Sequence, residues 1–268
     1  MILIGYLASL LIGLSLGLIG GGGSILTLPV LVYLFGVSPT LATAYSLFIV
    51  GTASLVGAWP KHREGLIHYR TALVFGVPSI ISVFITRKII LPSLPAELYT
   101  IGDLILTKDL LLMVLFAILM VAASISMLRT EKLQKKSAEE SQRFNYPLIL
   151  VEGAVVGLLT GLVGAGGGFL IIPALVVLSK LPMKQAVGTS LLIIAAKSLI
   201  GFTGDLLNGK PMDWSLVLSV TAIAIVGIFV GNALSRKIDG AALKKGFGWF
   251  VLVLGTYVFL KELGLLTG

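Results

Sequence analysis

The chain has 268 residues, 57% of them hydrophobic and only 12% charged, with a mean hydropathy of +1.05, where a soluble domain carries roughly 25% charge. This composition bounds the class to a polytopic membrane protein, and the absence of cysteine excludes disulfides, thiolate metal sites and cysteine nucleophiles. The net charge of +8 reads as Lys and Arg gathered in cytoplasmic loops, so no nucleic-acid partner is expected.

From Met1 to Pro60 there is no Asp, Glu, Lys or Arg, and further uncharged runs cover 71–86, 110–128, 153–179 and 214–235. A spanning helix needs about 20 mostly apolar residues. Because the runs are continuous rather than alternating, the expected class is all-α. The opening MILIGY has no basic n-region, and reads as the start of the first helix rather than a removable signal.

In chain order, the pattern predicts a helix over 2–19, an interruption at Gly20 to Gly23, and a second piece of twelve residues from Ser24 to Phe35. Twelve residues cover about 18 Å, short of a hydrocarbon core near 30 Å. That piece is therefore a half-helix or a re-entrant element. Helices follow at 39–58, 69–87 and 107–128, with Arg87, Lys88, Pro92 and Pro95 ending the middle one. A polar linker over 129–146 carries Arg129, Lys132, Lys135, Lys136 and Arg143 against three glutamates. It separates a first membrane repeat, 1–128, from a second, 147–268. The second repeat runs as a helix at 147–163, a glycine run, a short piece at 169–179, and helices at 183–203, 214–234 and 243–261.

The halves align at a shift of 144 residues. Gly13, Gly17, Gly20, Gly22, Gly23 and Pro29 then meet Gly157, Gly161, Gly164, Gly166, Gly167 and Pro173, while Ser46 and Ser54 meet Ser190 and Ser198. Matched Gly, Pro and Ser, unlike matched Leu, are not expected by chance in an apolar sequence, so the chain is an internal duplication. Placing the basic linker in the cytoplasm puts Lys61, His62, Arg63, Arg236, Lys237, Lys244 and Lys245 on the same side, provided that each glycine-broken pair returns to the side it began on. The two repeats then have inverted topology, as in many secondary transporters.

The two glycine runs, GLIGGGGSILTLP (17–29) and GLVGAGGGFLIIP (161–173), are the candidate functional elements. Consecutive glycines break a helix and leave amides that hydrocarbon does not tolerate unless protein or a water-lined cavity surrounds them. The half-helix that follows offers free amides and a positive dipole end, an anion site. Gly13, Gly17, Gly157 and Gly161, spaced as small-xxx-small, read as helix-packing positions. Gly22, Gly23, Ser24, Gly166, Gly167 and Gly168 read as substrate-binding. Neither run matches a dinucleotide or phosphate-loop fingerprint.

Hydroxyls recur on the next helix: Thr43, Tyr45 and Ser46, then Thr189, Ser190 and Ser198. They either donate to an oxyanion or bond back to their own helix; Ser46, Thr189 and Ser190 are the candidates. Lys197 lies inside an apolar helix with no acid nearby in sequence, which makes it a candidate countercharge, with snorkelling as the alternative. Glu152 reads as interfacial, and His62 and His68 as surface residues. No metal-ligand cluster, cofactor signature or catalytic constellation is present, so no cofactor and no enzymatic activity are expected.

The motifs GGGGSILTLP (20–29) with ATAYS (42–46), and GAGGGFLIIP (164–173) with AVGTS (186–190), resemble the two repeats of the TauE/SafE sulfite exporter family, also called the TSUP permeases. The resemblance implies a multi-pass transporter of a bacterial or archaeal plasma membrane, moving sulfite, sulfonates, thiosulfate or related small anions. Ala165 and Ser24, where the other repeat has glycine, make the halves unequal. The expected partners are a small anion and the lipid bilayer, with homo-oligomerisation left open. Export is expected, since an inside-negative potential favours it by about 2.3 kcal/mol per charge per 100 mV, and no buried acid is apparent to couple import. A channel-like anion pore, an importer of sulfonates or thiosulfate, and a membrane sulfur-delivery partner are the competing readings.

Overall fold

The computed structural model describes residues 2–101, 104–137, 146–177, 181–209, 211–235 and 240–264. The apolar runs fold as helices: α1 (Ile2–Ile19), α2 (Thr27–Pro29), α3 (Pro39–Arg63), α4 (Tyr69–Ile85), α5 (Leu91–Ser93), α6 (Lys108–Ser137), α7 (Tyr146–Val163), α8 (Gly168–Val177), α9 (Met183–Leu207), α10 (Trp214–Ser235) and α11 (Gly240–Glu262). Among the described residues, five helices are long and apolar enough to cross a membrane. One of them carries large apolar side chains on its outward face at helical spacing, Leu73, Val77, Ile81, Ile85 and Ile89, and the shorter α1 does the same at Leu3, Leu7 and Leu11. Such stripes belong against lipid rather than water. The chain is an all-α, multi-pass membrane protein.

The packing follows the duplication. The first helix of each half lies along the third long helix of the other, α1 on α10 and α7 on α4, while α3 pairs with α9 and α6 with α11. Glycines set the close crossings. A side chain at Gly13 or Gly17 would strike the backbone of Ala224 or Ile228, and one at Gly153 or Gly157 the backbone of Phe75 or Ser79. This is the packing role expected of the small-xxx-small positions.

Helix directions follow from the same contacts. Gly51 faces Leu199 and Gly57 faces Leu191, so α3 and α9, which correspond in the duplication, run antiparallel. α1 runs with α10, from Gly13 at Ala224 to Gly17 at Ile228. α10 runs with α3, from Asp213 at Tyr45 to Ile228 at Gly57. Hence α1 and α3 point the same way, and the glycine-broken element between them brings the chain back to the side on which α1 began. α7 and α9 agree likewise, through α4: Gly153 meets Phe75 and Gly157 meets Ser79, while Gly76 meets Ile193 and Val83 meets Gly201.

Three elements depart from the sequence reading. The middle helix of the first half does not end at Arg87 and Lys88; a π turn, Thr86–Ile90, carries it through α5 to Ser93. Its next residues are apolar and Pro92 occupies an N-terminal position of α5, where proline is tolerated. The following loop holds a two-stranded antiparallel hairpin, β1 (Glu97–Ile101) and β2 (Leu104–Thr107). α6 continues through Ser137, so Arg129, Lys132, Lys135 and Lys136 of the expected linker stand on a helix. Arg143, Arg236 and Lys237 lie outside the described residues.

Candidate functional site

The two glycine runs meet at the middle of the molecule. A Cβ on Gly21 would lie 2.5 Å from Gly168 Cα, and one on Gly168 would overlap the Gly21 backbone. Only residues without side chains allow the two chains to pass so closely. The contacts around them repeat across the duplication: Gly20 abuts Val187 as Gly164 abuts Thr43, and Gly23 abuts Leu16 as Gly167 abuts Thr160.

Local conformation differs between the runs. The first continues to wind as a 3-10 turn, Gly20–Leu26, and passes through α2 into a π turn, Val30–Leu34. A 3-10 turn bonds each amide to the carbonyl three residues back, and the Ser24 hydroxyl also turns back, donating to the Gly21 carbonyl at 2.8 Å. Gly22, Gly23 and Ser24 therefore sit in a wound segment. The second run opens. Gly164, Gly166 and Gly167 have φ of +72°, +63° and +68°, a region that side chains disfavour. The Gly167 carbonyl accepts from Leu170 and Ile171, both at 3.0 Å, which places Gly167 at the N-cap of α8. A glycine cap has no side-chain oxygen for the first-turn amides, and the helix dipole points its positive end at the same place.

Both ends of this opened run carry a buried cation. Lys197 is 1% exposed, and its Nζ lies 2.6 Å from where a Cβ on Gly167 would stand. It donates to Thr160 Oγ1 at 2.8 Å. Lys197 therefore does not snorkel, and among the described residues no carboxylate pairs with it. Arg87 is fully buried at the other end, with Nη2 at 2.5 Å from the corresponding point on Gly164. It donates to Thr43 Oγ1 at 3.0 Å and to the Thr43 carbonyl at 3.3 Å, and pairs with Asp205 at 3.3 Å.

The serines form two stripes. Ser46, Val50 and Ser54 recur at four-residue spacing on α3, as Ser190, Ile194 and Ser198 do on α9, so each set shares a helix face. Val50 and Ile194 both touch the Gly166 position. The hydroxyls of Ser46, Ser54 and Ser198 are buried without a protein partner, whereas Ser190 donates to the Val187 carbonyl at 2.8 Å. Buried hydroxyls are nearly always satisfied by protein, water or ligand. Thr189 accepts the His68 amide at 2.9 Å, as Tyr45 accepts that of Asp213 at 2.8 Å. These two anchor the entries to α4 and α10.

The structure thus brings Lys197 against Gly167 and the α3 face that carries Ser46 and Val50 against Gly166, sets Gly168 against Gly21, and holds Thr189, near the start of α9, by the His68 loop. Sequence reasoning missed Arg87 and Asp205. Arg87 looked like a helix-ending charge, and Asp205 fell two residues past the expected end of its helix. The signal available was the apolar Ile89, Ile90 and Leu91 after Lys88, which argue that the helix continues. His68 caps α4, with Nδ1 accepting from the Thr71 amide at 3.2 Å. Glu152 is partly buried on α7, with one carboxylate oxygen unpartnered. Among the described residues no group of His, Asp and Glu could hold a metal ion.

Comparison with known proteins gives a consistent picture. The family described as "Sulfite exporter TauE/SafE" matches residues 5–258. A probable membrane transporter protein of Xylella fastidiosa (strain 9a5c) is 31% identical over 257 residues, covering 94% of this chain and 92% of the relative. The probable membrane transporter protein YdhB of Bacillus subtilis is 27% identical over 241 residues, covering 89% and 92%. A probable membrane transporter protein of Haemophilus influenzae is 26% identical over 281 residues, covering 97% and 98%. No solved structure matches the chain significantly.

Proposed function

The chain belongs to the TauE/SafE family of membrane transporters, and from that premise we propose that it is a secondary carrier exporting sulfite or a related sulfur-containing or organic anion across the plasma membrane by alternating access. The observation that carries this reading is charge balance at the second glycine run. Arg87 and Asp205 offset one another, which leaves the buried Lys197 without a countercharge among the described residues. An uncompensated cation inside a membrane protein is costly, and a small anion at this point removes the cost.

In this reading the amides of Gly166, Gly167 and Gly168 hold the anion oxygens, with Lys197 as countercharge and Ser46 as hydroxyl donor; Ser190, whose proton goes to the Val187 carbonyl, and Thr189, held by the His68 amide, take no direct part. Gly22, Gly23 and Ser24 form the opposite wall. The antiparallel crossing of α3 and α9 supports an inverted relation between the halves, which rock against each other around the site. An inside-negative potential drives an anion outward, by about 2.3 kcal/mol per charge per 100 mV.

Counterflow of labelled sulfite in liposomes containing the purified protein tests the mechanism. A carrier gives saturable, potential-sensitive counterflow; a flux that rises linearly with concentration and shows no counterflow identifies a pore. A thermal-stability screen against sulfite, thiosulfate, sulfonates and small carboxylates selects the substrate class, and the absence of any stabilising anion overturns the reading.

A further inference from the structure

The guanidinium of Arg87, buried beside Asp205, is incompletely engaged. Both side chains are fully enclosed, yet they meet through a single contact of 3.3 Å between Nη1 and Oδ2, where a committed guanidinium–carboxylate pair is bidentate at about 2.8 Å. Among the described residues Arg87 Nε has no hydrogen-bond partner. The remaining hydrogen bonds of the guanidinium go to Thr43, at its hydroxyl and its carbonyl. Arg87 sits in a π turn, Thr86–Ile90, a local widening frequently found at functional sites. That turn is tied to the end of α9 by Asn208 Nδ2, which donates to the Arg87 carbonyl at 3.1 Å.

The position of the pair matters as much as its geometry. Gly164, lacking a side chain, leaves Nη2 open to the second glycine run, and Lys197 stands at the other end of the same run. α9 supplies both Lys197 and Asp205, about 12 Å apart along the helix axis for eight residues. The guanidinium therefore has the Asp205 carboxylate on one side and the candidate anion position on the other.

We propose that the Arg87–Asp205 pair is a displaceable latch, in which an oxyanion bound at Lys197 and the second glycine run takes the guanidinium from Asp205. Arg87 then becomes the second cationic ligand and the residue that selects substrate. Its planar fork engages two oxygens of a sulfonate or similar oxyanion at once and cannot do so with a spherical halide. With Lys197, Arg87 and Asp205 all charged, a singly charged oxyanion brings the site to neutrality. This inference rests on the anion-transport reading above.

The test uses the full chain in lipid nanodiscs and two probes, methanesulfonate and chloride. In Asp205→Asn the internal competitor is gone, and methanesulfonate should bind about tenfold tighter than to the wild type; a merely structural pair predicts weaker binding. In Arg87→Lys the charge remains but the fork is lost, and the preference for methanesulfonate over chloride should fall about tenfold. Unchanged or weaker binding by Asp205→Asn, or an unchanged preference in Arg87→Lys, overturns the latch while leaving the transport reading intact. Should Asp205→Asn fold poorly, methanesulfonate should raise its melting temperature more steeply per decade of concentration than that of the wild type. An equal or smaller rise, or failure to fold even with the anion, marks Asp205 as structural and overturns the proposal. No oxyanion binding by the wild type overturns both readings.

Discussion

The two glycine runs occupy equivalent places along the chain, yet among the described residues only the second has buried cations against it. The first stays wound, with φ above zero at Gly20 alone and its serine hydroxyl bonded back to Gly21. The second unwinds at Gly164, Gly166 and Gly167 and is bracketed by Arg87 and Lys197. At the shift of 144 residues the counterparts of those cations are Gly231 and Ala53, and the counterpart of Asp205 is Lys61. The glycine contacts repeat at the matched positions, while the buried charges gather around the second run alone, Arg87 reaching it from the first half and Lys197 from the second. Small residues stand in both because the backbones touch in both.

That difference can be broken experimentally, beginning where the effect is largest. Exchanging the unequal pair should be one-sided. Gly168→Ser drives a side chain into the Gly21 backbone and should cost on the order of 3 kcal/mol, seen as a lowered thermal midpoint or loss of folded protein. Ser24→Gly removes one hydroxyl bond and should cost about 1 kcal/mol. Equal effects would show that the two runs are interchangeable.

Next comes the charge. Lys197→Ala should weaken binding of the transported anion by about 2 kcal/mol or more, roughly thirtyfold in Kd, measured by anion-dependent thermal shift. Placing the lysine at the equivalent position, Ala53→Lys in the Lys197→Ala background, should not restore it, because the first run does not open there. Recovery of affinity in that double variant would refute the asymmetry.

The smallest effect separates the serines. Ser46 has an unpartnered hydroxyl, so Ser46→Ala should leave stability unchanged or slightly higher while weakening the anion by about 1 kcal/mol. Ser190 already donates to Val187, and Ser190→Ala should change affinity by less than about 0.5 kcal/mol. The reverse order of the two variants would place the anion against α9 rather than α3.

Much of the scaffold was legible in one dimension. Uncharged runs set the helix starts to within a few residues, while several ends ran on past them, as at Arg63, Ser93 and Ser137. Matched Gly, Pro and Ser revealed the duplication, and Lys197 stood out because a lone charge in an apolar helix is expensive wherever it faces. Arg87 and Asp205 could not be recognised in the same way. Each lies near a helix end, where a charge commonly means water, and only the π turn that carries the helix past Arg87 shows that this one points inward.

The hydroxyls teach a similar lesson. Ser46 and Ser190 are equivalent in sequence, yet one bonds back to its own helix and the other is left open. Thr189, a matched hydroxyl on the same helix, is drawn to the His68 amide by a loop 121 residues away. Local pattern could name the residues able to donate to an anion, but not which of them had already found a partner.

Composition and internal repetition were sufficient for class, the placement of the long helices and the two places where glycine interrupts regular α-helix, because these depend on desolvation and on local backbone freedom. Three features were decided by tertiary packing: the contact of Gly21 with Gly168, the opening of the second run alone, and the meeting of Arg87 with Asp205 across 118 residues. All three depend on distant segments sharing one buried volume, where each polar group takes whichever partner the packed helices bring within reach.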